Sequence, residues 1–133
     1  MLKFNPTTLI KFYTKETEYV PGKGNTTTWQ LLISNGYSHF YGEWRGSFGD
    51  RALSAEALGI KDSATIRTFY NPIIYAKLRS VQTIVVKNAD NTAFINNKPD
   101  KNNHNLYELW GGVDNVKEEN QYMEFRVRRY EGL

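Results

Sequence analysis

Apolar and polar residues alternate in short runs along most of this chain, and the period of two predicts strands. From Thr8 to Thr14, Ile10 and Phe12 fall on one side and Leu9, Lys11 and Tyr13 on the other, which makes a first strand. Pro21-Gly22-Lys23-Gly24-Asn25 is a turn, because proline fixes one torsion and glycine frees the others. Trp29 to Ile33 is apolar and leads to Asn35-Gly36, the dipeptide best suited to a tight hairpin. Tyr37 to Arg45 then reads as a strand with Phe40, Gly42 and Trp44 facing inward, so Trp44 is expected to be buried, while His39, Tyr41 and Glu43 face out. Thr65 to Tyr70 and the compact apolar run Val81 to Val86 add two more strands. Ala89-Asp90-Asn91 turns the second of these back into Thr92 to Ile95. Leu106 to Trp110 and Tyr122 to Arg129 close the series; in the last, Met123, Phe125 and Val127 alternate with Glu124, Arg126 and Arg128.

Two stretches break the alternation. The first is a Gly- and charge-rich excursion over residues 46–62, long for a small β protein and therefore expected to be functional or disordered. Within it, Ala52 to Leu58 has the composition of two helical turns, with Asp50 or Ser54 as cap and Gly59 as stop. The second is Asn96 to Asn105, the most polar segment, whose Asn and Asp side chains favour turns and predict an exposed loop. The whole chain, 1–133, thus reads as one mainly β domain. It is a small antiparallel β-barrel or sandwich of about six to eight strands, with one long excursion and a short helix.

Composition narrows the function more by exclusion than by indication. Aromatic residues make up 14% of the chain, in keeping with pleated, half-buried surfaces. A formal net charge of +3 is too mild to make nucleic-acid binding the default reading. Cysteine is absent, which removes disulfides and thiolate chemistry. No apolar run approaches the roughly 20 residues of a membrane helix, and the N-terminus lacks the pattern of a signal peptide, so the protein is expected to stay where it is made.

The search for chemistry returns little. No phosphate-binding loop, dinucleotide-binding glycine pattern or nucleophile elbow is present. His39 and His104 lie far apart and read as ordinary strand or surface histidines, so no metal and no cofactor is expected. Glu43, Asp50, Glu56 and Asp62 cluster around the excursion, but Arg45, Arg51 and Lys61 are interleaved with them, and alternating signs point to salt bridges rather than paired catalytic carboxylates. Arg67, Arg79, Arg126, Arg128 and Arg129 read as solvated faces of alternating strands. Tyr37, Tyr41 and Tyr122 suit either base stacking on an oligonucleotide-binding barrel or a protein interface, and the sequence leaves both open.

The order of these features resembles a known family. An aromatic strand ending in Trp (Tyr41-Gly42-Glu43-Trp44) is followed by the charged, Ala-containing excursion (Arg51 to Ala57). A Thr-Ile-Arg-x-x-Tyr strand (Thr65 to Tyr70) comes next, then alternating Leu106-Tyr107-Glu108-Leu109 and a basic closing strand. This pattern, over roughly residues 8–130, is similar to the small head-closure and head–tail adaptor (stopper) proteins of tailed bacteriophages. The resemblance implies a β-barrel without enzymatic activity that is made in the bacterial cytoplasm and resides in the virion neck. It implies a homo-oligomeric ring of about six or twelve copies, flanked by the portal or adaptor ring and by tail-terminator or tail-tube proteins. Passing contact with double-stranded DNA in the channel is implied as well, and no membrane. On this reading the excursion faces the lumen or the neighbouring ring through Arg45, Phe48, Asp50, Arg51, Leu53, Glu56, Leu58, Ile60, Lys61 and Asp62. A nucleic-acid-binding barrel is the alternative.

Overall fold

The computed structural model describes residues 4–46 and 63–130. Its strands are β1 (Thr8–Val20), β2 (Gly24–Leu31), β3 (Phe40–Gly46), β4 (Ala64–Phe69), β5 (Thr83–Lys87), β6 (Phe94–Ile95), β7 (Lys98–Pro99), β8 (Leu106–Asn115) and β9 (Tyr122–Arg129). Among the described residues one α-helix, α1 (Pro72–Ser80), joins β4 to β5. The main sheet runs β2-β1-β3-β4-β9-β8-β5, and a further β1–β5 pairing closes it on itself. The closed ring β1-β3-β4-β9-β8-β5 is antiparallel at every step, so the protein is a mainly β barrel. Strand β2 lies outside that ring and, among the described residues, pairs with β1 alone.

The predicted alternation is what builds the interior. Ile10 and Phe12 of β1, Ile66 of β4, Val85 of β5, and Met123, Phe125 and Val127 of β9 are buried together. Opposite residues on neighbouring strands share a face, so the register Ile66↔Phe125 and Phe12↔Val85 directs whole inward rows to one core. Gly42 belongs to this geometry: a Cβ there would sit 3.1 Å from both Ile66 Cγ2 and Thr68 Cγ2, tighter than most packed carbons, so both side chains would have to give way. Asn35 and Gly36, with φ of 52° and 80°, form the predicted two-residue turn, and Ser34 and Tyr37 exchange backbone hydrogen bonds across it.

The described helix is not where composition placed one. Residues 52–58 lie outside the described residues, and the helix that is seen follows β4. The Asn71 side chain accepts hydrogen bonds from the N–H groups of Ile73 and Ile74 at 3.0 and 3.3 Å, and Pro72 occupies the first turn. Ile74 and Leu78, four residues apart and so on one face, plug the adjacent barrel mouth. Trp44 also departs from expectation. It faces the interior but is only partly buried, with its ring edge-on to Tyr107 (centroids 4.7 Å apart) and Lys87 Nζ 4.8 Å from its centre. Its neighbours on the strand are the last pairs before the excursion, where the barrel opens.

The Asn-rich segment 96–105 is mostly exposed, as expected, and it also completes a short hairpin. Residues 96 and 97, both at positive φ, make a turn between β6 and β7, which pair through Phe94↔Pro99 and Ile95↔Lys98. Residues 88–105 fold back over the outside of the barrel. Ala93 and Phe94 cover Ile84, Val86 and Leu106 together with Trp29, Tyr13 and Tyr130, a second core on the outer face. Phe94 stacks on Tyr13 at 3.8 Å, and burial raises the Tyr13 hydroxyl above the usual phenol pKa. Asp90 organises the segment. It accepts from the hydroxyl and the N–H of Thr92 (2.6 and 2.8 Å) and from the side-chain amides of Asn103 and Asn105 (2.9 and 3.0 Å). These bonds, the Thr92 hydroxyl foremost, hold its carboxyl well below the usual carboxylate range.

A carboxylate with a depressed pKa in the folded state contributes stability that is complete above the unfolded value, near 4, and fades as pH falls through the folded one. Urea midpoints should therefore drop below pH 4 in the wild type, and Asp90→Ala should lower stability by about 1 kcal/mol at pH 7, because water screens a group this close to the surface. The gap between Asp90→Ala and the wild type should shrink as the solution is acidified. A gap independent of pH would remove the Asp90 charge from the account.

Candidate functional site

The barrel has two unlike ends. Strand β4 begins at Ala64, paired with Gly46 of β3, so the excursion leaves and returns at one mouth. It ends at Phe69, from which the chain passes through Tyr70 and Asn71 into α1, so the helix closes the opposite mouth. Beside α1 the first residues of β3, the last of β4 and the first of β9 converge on a pocket of about 250 Å³. Phe12, Phe40, Ile74 and Met123 form its apolar walls, and His39, Tyr41, Phe69, Tyr70 and Asn71 surround them.

Each lining group is placed by its element. Phe40 and Thr68 point inward by strand alternation, whereas Tyr41 and Phe69, one residue along, stand on the outer face and are each 58% exposed. Asn71 is fixed by its cap bonds to α1 and by donation from its Nδ2 to Ser34 Oγ at 3.0 Å. On the outside, Phe69, Tyr122 and Phe4 form an aromatic cluster, with Phe4 centred 5.1 Å from Phe69 and 4.8 Å from Tyr122. Next to it Asn5 donates its N–H to Glu43 Oε2 at 2.6 Å, which holds the N-terminal residues against β3. Thr68 is the pocket's polar anomaly. It is 2% exposed, and its hydroxyl has no hydrogen-bond partner among the described residues.

An apolar pocket with an exposed aromatic rim and one unsatisfied hydroxyl suits a side chain or small apolar ligand with a single polar atom. Thr68→Val keeps the shape and removes the buried hydroxyl, so it should raise stability by about 1 kcal/mol. A fall in the urea midpoint would show instead that the hydroxyl is bonded in solution.

Of the residues expected at the lumen or ring contact, Arg45 is described, and its guanidinium pairs with Glu43 on its own strand. Phe48, Asp50, Arg51, Leu53, Glu56, Leu58, Ile60, Lys61 and Asp62 lie outside the described residues. The arginines on the strands have partners within the chain. Arg67 donates to Glu124 at 2.8 and 3.0 Å, Arg128 to Glu108 at 2.9 Å, and Arg129 meets His104. Arg126 lies over the ring of Trp110, and Arg79, which sits in the last turn of α1 and not on a strand as expected, lies over Tyr75. The two histidines are apart, His39 at the pocket and His104 beside Arg129. Tyr41 and Tyr122 flank Phe69 on one outer face, and Tyr37 stands at the 34–37 turn, 64% exposed. The pocket itself escapes a reading of the sequence, because five separate segments contribute to it. The one local signal was a buried threonine in an otherwise apolar inward row.

No protein-family model matches the chain, and neither the curated proteins nor the solved structures contain a match. Among the described residues no helix is long and apolar enough to cross a membrane.

Proposed function

We propose that this chain is a non-enzymatic structural subunit that forms a ring in the neck of a tailed phage, closing the filled head and joining the portal side to the tail. The observation that carries the reading is the barrel's polarity. The strands flanking the excursion pair up to Gly46↔Ala64, so among the described residues the barrel closes on its own and the chain leaves and re-enters it at one mouth. The opposite mouth presents a pocket with exposed Tyr41 and Phe69. A spacer between two different rings needs two different ends on a rigid body, and a closed barrel supplies the rigidity. The order of sequence features shared with head-closure proteins supplies the assignment to the neck. On this reading the contact residues are Arg45, which also pairs with Glu43, and Phe48, Asp50, Arg51, Leu53, Glu56, Leu58, Ile60, Lys61 and Asp62.

A stop codon placed early in the gene, in the phage genome that carries it, tests this. Lysates should contain DNA-filled or leaking heads and separate, complete tails, and supplying the chain in trans should restore joining. Infectious particles formed without the chain would refute the assignment.

A further inference from the structure

The barrel hides its strand edges by closing, yet the β1–β2 ribbon leaves two of them open. Strand β1 pairs with β5 as far as Thr14↔Thr83, and Lys15 donates its N–H to the Gln82 carbonyl; beyond that, among the described residues, only β2 accompanies it. From Glu16 to Val20 the ribbon therefore extends past the barrel with one neighbour per strand. The direction of each main-chain group follows from the register. Leu32 N–H donates to the Phe12 carbonyl, so even-numbered residues of β1 bond toward β2 and odd-numbered ones point away, as Lys15 does. Thr17 and Tyr19 thus offer their N–H and C=O groups on one side of the ribbon. By the same register Asn25, Thr27 and Trp29 of β2 offer theirs on the other. Among the described residues none of these main-chain groups has a backbone partner outside the ribbon.

Such edges are templates for strand addition, and proteins usually blunt them with Lys, Pro or a bulge. From Gly24 to Leu31, GNTTTWQL, there is no charge and no proline, and the β1–β2 register runs without a break. Tyr19, on the opposite edge, is 70% exposed.

From this we infer that the Asn25–Trp29 edge of one copy pairs with the Thr17–Tyr19 edge of the next, so that the ribbons of neighbouring copies join into one continuous antiparallel sheet. Within a ribbon β1 and β2 run in opposite directions. Copies related by rotation then place β2 of one beside β1 of the next, again antiparallel, and the pattern repeats around the axis. The contact is heterologous, the type that closes into rings. It names the partner surface for the ring proposed above and rests on that reading.

The absence of cysteine from the chain allows a clean test. Particles are assembled from a mixture of Thr27→Cys with Thr17→Cys, or of Thr27→Cys with Tyr19→Cys; these pairs cover the two registers in which both β1 positions bond. Directly opposed strand residues lie within disulfide reach, about 5.5 Å between Cα atoms. One of the two mixtures should give a disulfide-linked dimer under oxidation, and each single variant alone should stay monomeric on a non-reducing gel. Linkage in the single variants equal to that in the mixtures would overturn the heterologous pairing. So would the absence of linkage in particles that carry the chain, and in that case the ring reading stands. If the chain is absent from particles, the ring reading falls, and the same mixtures at millimolar concentration in solution decide the edge pairing alone.

Discussion

Phe125→Ala is expected to lower the unfolding free energy by about 3–5 kcal/mol, the cost of removing a buried aromatic from a core that collapses only partly. Phe125 is 1% exposed, sits opposite Ile66 on β4 and Val113 on β8, and meets Phe12 at a centroid distance of 5.8 Å. It therefore touches the barrel wall on both sides and the first strand across the interior. A domain of this size has only about 5–15 kcal/mol to lose, so the variant should unfold at a much lower urea concentration with an unchanged slope. A loss under about 1 kcal/mol would mean that the inward row of β9 is not the core.

Deleting Phe48 to Ile60 and bridging the gap with a short glycine linker is expected to leave the barrel folded while abolishing infectivity. Gly46 and Ala64 are paired partners, so the ends to be joined are already adjacent and a shorter connection costs little entropy. The deletion removes Phe48, Leu53, Leu58 and Ile60, the apolar residues proposed to contact the neighbouring ring. Circular dichroism and the urea midpoint should resemble the wild type, whereas particles should package DNA and then lose it or fail to join tails. Infectious particles would make the excursion dispensable. A variant that does not fold would place these residues in the barrel's own structure.

Much of this architecture was legible because its causes are local. Asn35-Gly36 announces its turn through backbone preference, and Met123, Phe125 and Val127 announce their face through a period of two. The rest depends on partners distant in the chain. Beyond Thr14 both faces of β1 approach water, so Glu16 to Val20 show no hydrophobic alternation and the strand is longer than its pattern. Helix α1 opens with Ile73, Ile74 and Tyr75, residues that suit strands as well, and only Asn71-Pro72 marks its start. Asp90 reads locally as a turn residue; its bonds to Asn103 and Asn105 arise when the segment folds back on the outer face. Trp44 has the right face and too little cover, because strand alternation gives direction and not depth.

The most direct test of the central claim is the position of the chain in the particle. If the proposed function holds, tailed virions labelled with antibody against this chain, or imaged at a resolution that resolves a barrel, should show it as a ring between portal and tail and nowhere else. Label on the capsid surface or the tail tip, or virions that lack the chain, would contradict the account.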